Sequence, residues 1–291
     1  MTRTPLAGSS INEHGLPVLH SPVHFTRAGT PYLVQPGFVV MAHTRTFEHS
    51  IVPFLSNYNK AWEDWPDGAE RVSDGALLAK TAGQLCYLSF GKEGTPHSQA
   101  QRYIDHIKES RHGSVFEHAS ISFLIWGIDR AVTHEIVRHR AGFGFSQVSQ
   151  RYVDKVRFVL SPEYTTEELC ESFCESIDRA QAEYDNRARM LMDLNPLPAD
   201  ATREQKRDHR KRVNSAARRV LPNETEAPIL VTANLRGWRH FIEMRDSPFA
   251  DMSIRILADA LLWGLQQMEP QVFGDYVPLP DGGVTTKWSK V

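Results

Sequence analysis

The chain has 291 residues, of which 41% are hydrophobic and 23% are charged, as is ordinary for a soluble globular protein with a substantial core. A formal net charge of −2 argues against tracking of a nucleic-acid backbone, which usually needs a basic excess on one face. No apolar run approaches the roughly 20 residues that cross a bilayer, and no secretory leader is recognisable. Three cysteines give no disulfide framework, so we expect a reduced, cytoplasmic protein without a membrane or nucleic-acid partner.

The first third of the chain predicts an extension followed by helices. Residues 1–36 are rich in Pro, Gly, Ser and His without sustained periodicity, which predicts an N-terminal extension that is poorly ordered or draped over the rest. A globular domain is expected over residues 37–275 and a tail over residues 276–291. Residues 75–90 and 97–109 show the apolar spacing of amphipathic helices.

The centre of the chain predicts a strand followed by a short helix. Residues 120–125 alternate and then turn apolar, as in a strand covered on one face. Asp129 is a suitable N-cap for a helix that should end at Arg138–Arg140, where positive charge suits the carboxyl end of the helix dipole. Gly142 can adopt the left-handed closing conformation, and residues 141–145 are predicted as a loop that forms an exposed pocket wall.

Helices dominate the second half of the chain. Residues 166–194 predict a long helix that a threonine opens, and residues 203–221 predict a basic helix. The cations of the basic helix are most typical of a solvated helix face. Residues 229–233 predict a strand and residues 249–268 a closing amphipathic helix. With four to six strands placed irregularly among long helices, the predicted fold class is α+β with a mixed or antiparallel sheet.

The most informative motif is Arg138-His139-Arg140, which is followed after eight residues by Ser149-Gln150-Arg151-Tyr152. Guanidinium groups repel one another unless an anion or a set of acceptor atoms lies between them. Arginine is also the preferred side chain for two-pronged contact with phosphate. A nearly neutral chain that concentrates arginine and serine in this way is predicted to bind a small phosphorylated molecule.

Two other polar segments are candidates for the same site. Residues 112–118 pair His and Glu around a Gly-Ser step before the predicted strand, and a simple turn is an equally good interpretation. In residues 234–245, Arg236 and His240 share one side of a predicted helix, where a surface salt-bridge face is the alternative. Both segments carry groups that can contact a polar ligand.

Metal and thiol chemistry are not expected. His134 and His139 are five residues apart, which places their rings about 140° apart on a helix, whereas a zinc-protease helix needs a separation of four. Cys170 and Cys174 have acidic flanks that disfavour a thiolate, and Cys86 lies in an apolar run typical of a core residue. The sequence therefore offers no activated thiol nucleophile.

These motifs resemble the signature of the flavin-dependent thymidylate synthases, in which Arg-His-Arg is followed after seven or eight residues by Ser and usually by x-Arg-Tyr. Residues 112–118, 217–222 and 234–245 match in order and spacing, so the resemblance covers roughly residues 75–265. It implies an α+β fold, a homotetramer with active sites shared between subunits, tightly bound FAD, and reductive methylation of dUMP to dTMP. The carbon would come from methylenetetrahydrofolate and the electrons from NADPH.

The resemblance also implies roles for residues by their position. Those that would contact the flavin are His112, Ser114, Glu117, Arg138, His139, Arg140, Asn234, Arg236 and His240. Those that would hold the nucleotide substrate are Glu135, Gln147, Ser149, Arg151, Arg218 and Arg245. Arg245 and Ser149 are the candidates for a catalytic role. Arg245 would supply positive charge where the pyrimidine oxygens become enolate-like, and Ser149 would join Arg151 at the phosphate.

The residues present agree with this chemistry but leave the substrate open. Uracil C5 is a poor nucleophile until C6 receives an electron-rich group, and hydride from a reduced flavin can replace the missing thiolate. The stretch 141–148 is one residue longer than in many relatives, and Phe249 stands where relatives commonly have histidine near the flavin. Methylation of UMP in a nucleoside-antibiotic pathway is therefore the alternative. A non-catalytic nucleotide- or RNA-binding protein is a more distant one.

Overall fold

The structure is a computed structural model that describes residues 6–291, except for the side chain of Glu93. Its strands are β1 (Ser9–Ile11), β2 (Pro17–Leu19), β3 (His24–Phe25), β4 (Pro31–Leu33), β5 (Gly37–His43), β6 (Ser120–Trp126), β7 (Phe143–Gln147), β8 (Phe158–Val159), β9 (Ile229–Asn234), β10 (Val277–Pro278) and β11 (Val284–Thr285). Its α-helices are α1 (Val52–Ser56), α2 (Asp74–Leu85), α3 (Ala100–Glu109), α4 (Arg130–Ile136), α5 (Glu167–Leu194), α6 (Arg203–Ala217), α7 (Leu235–Arg245), α8 (Met252–Met268) and α9 (Pro270–Phe273). None of the helices in residues 6–291 is both long enough and apolar enough to span a membrane.

A six-stranded sheet in the order β1-β2-β5-β6-β9-β7 forms the centre of the fold, and all of its strand pairs are antiparallel. Strands β6 and β9 alternate between buried and half-buried residues, so one face of the sheet lies against the core. Helices α7 and α8 pack there. For example, the Phe123 ring lies 5.3 Å from the ring centroids of both Phe38 and Trp238. The predicted α+β class is confirmed.

A second hydrophobic cluster lies around α5 and α6. A small sheet in the order β3-β4-β8 contributes Phe158 to it, and α5 contributes Phe173, Ile177 and Tyr184. Helix α5 begins and ends where the sequence predicts. Its start is fixed by Thr166, whose side chain accepts a hydrogen bond from the Leu169 backbone N–H. Helix α6 begins with a capping box of Thr202 and Gln205.

The N-terminal segment differs from the predicted poorly ordered or draped extension. Strand β2 pairs with β5 through Val18 and Val39, and β1 pairs with β2, so residues 9–19 lie in the main sheet. Strands of three residues are too short to give an alternating pattern, which is why the sequence did not predict them. The part of that prediction that concerns residues 1–5 lies outside the described residues.

Two boundaries near the arginine motif also differ from prediction. Helix α4 ends at Ile136, so Arg138 and Arg140 follow the helix instead of closing it. The predicted loop after Arg140 is largely strand β7, which pairs with β9 from Phe143 to Gln147. In β7 the partly buried residues alternate with exposed ones, a pattern that a five-residue segment with glycine and serine in it shows only weakly.

Candidate active site

The arginine motif lies on an exposed turn between α4 and the edge strand β7. Asp129 fixes the start of α4, because its carboxylate accepts a hydrogen bond of 2.8 Å from the Val132 backbone N–H. Gly142 closes the turn with φ of +77°, as expected for glycine at a left-handed position. A Cβ there would also lie 2.6 Å from the Asn234 side chain, so the turn packs directly on the start of α7.

Arg245, the last residue of α7, connects three segments of the chain. Its Nη1 lies 2.5 Å from Glu135 Oε2, and its Nε donates to His139 Nε2 at 3.1 Å. The ring of His139 also lies 5.5 Å from that of His240 and 5.2 Å from that of Phe241. Together, Glu135, His139, His240 and Arg245 form what we name the Arg245 cluster, which combines residues of α4, the turn and α7.

His139 is neutral in this cluster. Burial, then the positive charge of Arg245 and the electrostatic effect of the neighbouring His240, lower its pKa from 6.5 to about 4. Since Nε2 accepts the hydrogen bond from Arg245, the proton of the neutral ring lies on Nδ1. The histidine therefore orients the guanidinium group of Arg245 without adding a like charge beside it.

Glu117 and Arg236 form a second contact at the amino end of α7. Arg236 Nη1 lies 2.6 Å from Glu117 Oε1, and both side chains are close to half exposed. An ion pair of this kind contributes little to stability and leaves its charged groups accessible to a ligand. Asn234 caps α7, because its Oδ1 accepts a hydrogen bond of 2.7 Å from the Gly237 N–H.

Ser149 and Arg151 lie on the side of α6. The Arg151 backbone N–H approaches Ser149 Oγ at 3.4 Å, and its side-chain Nε donates to Ser215 Oγ at 3.3 Å. Asn214 Nδ2 approaches the Arg151 carbonyl at 3.5 Å. Arg151 is thus positioned by α6, with Ser149 two residues before it, whereas the Arg245 cluster is positioned by α4 and α7.

The other residues that the sequence singled out lie on neighbouring segments. His112 precedes the short 3-10 helix Gly113–Glu117 and Ser114 lies within it, and both are exposed, as is Arg140 on the turn after α4. Gln147 is the last residue of β7, and Arg218 begins the 3-10 turn that follows α6. None of these five has a tested role, and each remains a prediction.

Sequence reasoning missed three contact residues of the site. Arg138 Nη2 lies 3.0 Å from His134 Nε2, a contact that their spacing of four on a helix could have indicated. Ser215 contacts Arg151 from 64 residues away, and Phe241 contacts His139 from about 100 residues away. No local pattern in the sequence indicates contacts over such separations.

The cysteines take no part in these clusters. Cys86 is exposed, so the expectation that it is a core residue is wrong, and its thiol approaches the Ala82 carbonyl at 3.4 Å. Burial, and then the neighbouring charge of Asp178, raise the pKa of Cys174. In residues 6–291, no group of three or more His, Cys, Asp or Glu side chains is arranged to hold a metal ion.

Comparison with known proteins shows the family. The family model described as thymidylate synthase complementing protein matches residues 70–271. A flavin-dependent thymidylate synthase of Mycolicibacterium vanbaalenii (strain PYR-1) is 45% identical over 213 residues, which are 72% of this chain and 83% of that protein. Another, from Mycobacterium sp. (strain JLS), is 44% identical over 225 residues, which are 75% of this chain and 86% of that protein.

A solved structure shows the same fold at low identity. The crystal structure of the UMP/dUMP methylase PolB from Streptomyces cacaoi with bound 5-Br dUMP superposes with a TM-score of 0.56 at 18% identity. The match covers 83% of this chain and 94% of that one. Because this family model matches the chain and the two relatives are 45% and 44% identical to it, the chain belongs to the thymidylate synthase complementing protein family. Both relatives are named flavin-dependent thymidylate synthases.

Proposed function

We propose that the protein is a flavin-dependent thymidylate synthase that reductively methylates C5 of dUMP to give dTMP. Bound FAD is the proposed cofactor, methylenetetrahydrofolate the carbon donor and NADPH the electron donor. The observation that carries the proposal is the Arg245 cluster. It joins two residues predicted to contact the flavin, His139 and His240, to two predicted to hold the nucleotide, Glu135 and Arg245.

The accessible donors around the cluster fit a flavin dinucleotide. Arg138 and Arg140 are exposed, and Arg236 forms an ion pair with the solvent-accessible Glu117. A diphosphate and the polar edge of an isoalloxazine ring both require hydrogen-bond donors, and guanidinium groups bind phosphate strongly. When bound, the flavin would supply the hydride that C6 of the pyrimidine must receive.

Arg245 is suited to stabilise negative charge on the pyrimidine. A guanidinium group has five N–H donors, and three hydrogen bonds run from this one to His139 Nε2 and to the side chain and carbonyl of Glu135. The remaining donors are available to a ligand oxygen. Because the contacts to Glu135 and His139 fix the plane of the group in advance, its charge acts on the reacting base without reorganisation.

Ser149 and Arg151 would hold the 5′-phosphate of the nucleotide. The Ser149 hydroxyl lies beside the Arg151 backbone N–H, so a hydroxyl and a guanidinium group two residues apart can both donate to a phosphate dianion. Binding at the phosphate positions the base relative to the cluster, and such positioning can supply a large part of the rate enhancement. No cysteine in the described chain belongs to the segments that form the cluster, which agrees with a route that uses no thiol nucleophile.

UMP is the second candidate substrate. The structural relative PolB is described as a UMP/dUMP methylase and has been crystallised with 5-Br dUMP and with 5-Br UMP. In this chain the segment after Arg140 forms strand β7 beside the cluster, and Phe249, between α7 and α8, is 97% exposed. UMP differs from dUMP by one hydroxyl. A pocket discriminates strongly between two such substrates only where its wall forms hydrogen bonds, and weakly where its wall is apolar.

We further propose a cytoplasmic homotetramer with active sites shared between subunits. Several large apolar side chains besides Phe249 are strongly exposed, among them Phe47 at 72%, Tyr87 at 75% and Leu194 at 76%. Apolar surface of this kind supports association with other copies of the chain. The three free cysteines agree with a reducing compartment.

The test is a direct assay of flavin content and product. We expect the purified protein to absorb visible light as a flavoprotein, to bleach with NADPH, and to convert dUMP to dTMP when methylenetetrahydrofolate is present. UMP is assayed in parallel under the same conditions, and preferred methylation of UMP would select the second candidate. Absence of flavin, or of C5 methylation of either nucleotide, would refute the proposal.

A further inference from the structure

A basic groove lies along α6, beside Arg151. Its cavity has a volume of about 480 Å³, and the side chains that define it are Tyr152, Arg203, Lys206, Arg207, Arg210 and Lys211. A second cavity of about 490 Å³ continues from it, and Arg151 and Lys211 border both. Volumes of this size are typical of sites that bind one small molecule.

The groove concentrates positive charge in a chain that is negative overall. Residues 203–212 contain six Lys or Arg and two acidic residues, which gives a formal charge of +4, whereas the whole chain has −2. Both acids approach Arg207 only, with Glu204 at 3.7 Å and Asp208 at 3.8 Å, and these exposed pairs contribute little. Most of the cations therefore lack a close acidic partner among the ion pairs of the described chain.

The positions of these cations suit a ligand with several anionic groups. Arg203, Lys206, Arg207 and Arg210 follow the i, i+3, i+4, i+7 pattern, so they lie on one side of α6. With a rise of about 1.5 Å per residue, they extend over roughly 10 Å of the helix. A single phosphate cannot contact cations along such a length, whereas a nucleotide with two or more phosphate groups can.

Tyr152 adds an aromatic surface to the groove. This residue is 56% exposed, and Lys211 Nζ lies 5.3 Å from the centroid of its ring. Aromatic rings next to cations are the usual platform on which proteins stack nucleic-acid bases. This combination favours a nucleotide over a simple polycarboxylate. The limited volume and the negative net charge favour a single nucleotide over a long nucleic acid.

We propose that the basic groove binds a nucleotide that carries two or more phosphate groups, with its base on Tyr152 and its phosphates along α6. Two sources have this chemistry: the 2′-phosphorylated adenosine end of NADPH, and a free nucleoside triphosphate. The first source rests on the proposed function, in which NADPH donates the electrons. Binding to the groove itself does not depend on turnover.

The test uses the flavin-loaded protein and the double variant Lys206→Gln/Arg210→Gln, in which two exposed cations of the groove are neutralised. The probes are adenosine 2′,5′-bisphosphate, ATP and dUMP, each titrated by calorimetry. We expect the Kd of the bisphosphate and of ATP to rise about tenfold or more, because two charge-assisted contacts are lost, while that of dUMP stays the same.

The matched control is Arg179→Gln/Arg189→Gln on α5, which removes the same charge from exposed positions outside the groove. It should leave all three Kd values unchanged. The proposal is overturned if neither phosphorylated probe binds the wild-type protein, if the groove variant binds both as tightly as the wild type, or if the α5 control weakens binding equally.

Steady-state kinetics then separate the two sources. A raised KM for NADPH, with the KM for NADH and the kcat unchanged, assigns the groove to the reductant. If the bisphosphate and ATP bind more weakly but the KM for NADPH is unchanged, the groove is a site for a free nucleotide. Failure of the proposed methylation would appear in the product assay and leave the calorimetric result intact.

Discussion

At the scale of single residues, the protonation of His139 decides how Arg245 can act. The folded protein lowers the pKa of His139 to about 4 through burial, the positive charge of Arg245 and the electrostatic effect of His240. Between pH 4 and pH 6.5, His139 is protonated in the unfolded chain but neutral in the folded protein. The contribution of His139 to the free energy of unfolding is therefore fully present above pH 6.5, and it is lost as the pH falls from 6.5 through 4.

We expect the variant His139→Gln to lose less stability on acidification than the wild type. Glutamine does not titrate but keeps an oxygen that can accept from Arg245 Nε. As the pH falls from 6.5 to 4, the free energy of unfolding of the wild type should decrease by roughly 3 kcal/mol more than that of the variant. This follows from about 1.36 kcal/mol per pKa unit. Urea unfolding at several pH values measures this difference. His139→Phe should show the same flattened profile, and an unchanged acid loss in both variants would contradict the assignment.

The second residue-scale prediction concerns Arg245. We expect Arg245→Ala to retain bound flavin, seen in its visible spectrum, but to lose dTMP formation by about 10²- to 10³-fold, as when one donor to developing negative charge is removed. Met244→Ala is the control, because Met244 lies next to it on α7 with 53% of its surface exposed. Near-normal turnover in Arg245→Ala would refute the role of this residue.

At the scale of elements, the turn between α4 and β7 sets where the arginine motif lies. Gly142 has φ of +77° and has no room for a Cβ beside Asn234, whereas the space around Gly144 in β7 is open. Left-handed backbone costs other residues about 1–2 kcal/mol, and the contact with Asn234 adds to that cost. The pair of glycines therefore offers a test within one short segment.

We expect Gly142→Ala to lower the free energy of unfolding by about 1–3 kcal/mol and to weaken flavin binding, because Asn234 and the turn must move apart. Gly144→Ala should change stability by less than about 0.5 kcal/mol. Chemical denaturation and flavin titration of both variants measure these effects. Equal stability of the two variants would show that the turn does not need its left-handed glycine.

Elements with strong local signals were predicted well. Helix α5 follows its capping threonine, and β6 and β9 follow their alternating or apolar patterns. Strand β7 was predicted as a loop, because its pairing with β9 outweighs the weak strand preference of glycine and serine. The basic helix α6 was located correctly, but its sequence does not show that a cavity lies along it.

At the scale of the whole molecule, the C-terminal segment is anchored by buried charge. Asp275 bonds to both terminal nitrogens of Arg239, at 2.8 and 3.0 Å, and to Lys108 Nζ at 3.1 Å. Thr286 also donates to Asp275, and Val291 lies close enough to Gly113 to exclude a Cβ there. The predicted tail thus packs against Gly113, next to His112 and Ser114, which are predicted to contact the flavin.

We expect Asp275→Asn to lower the free energy of unfolding by about 3–5 kcal/mol, because the buried Arg239 would lose its paired carboxylate and Lys108 would keep the more exposed Asp105 at 3.4 Å. Burial alone would raise the pKa of Asp275, but the hydrogen bonds and charge of Arg239 and the charge of Lys108 lower it, so the carboxylate is ionised. Urea unfolding measures the loss. The exposed Asp281→Asn should be close to neutral, and equal effects in the two variants would contradict the anchoring role.

The sequence by itself determined the α+β class, the main helices and strands, and the motifs that place this chain beside the flavin-dependent thymidylate synthases. These features are local, since caps, apolar periodicity and short spaced motifs act over a few residues. Only the tertiary structure decided that Arg245 meets His139 and Glu135 across more than 100 residues. It also decided that the first strands join the main sheet and that the tail packs behind the candidate site. Such contacts arise from packing between distant segments, to which no local pattern in the chain corresponds.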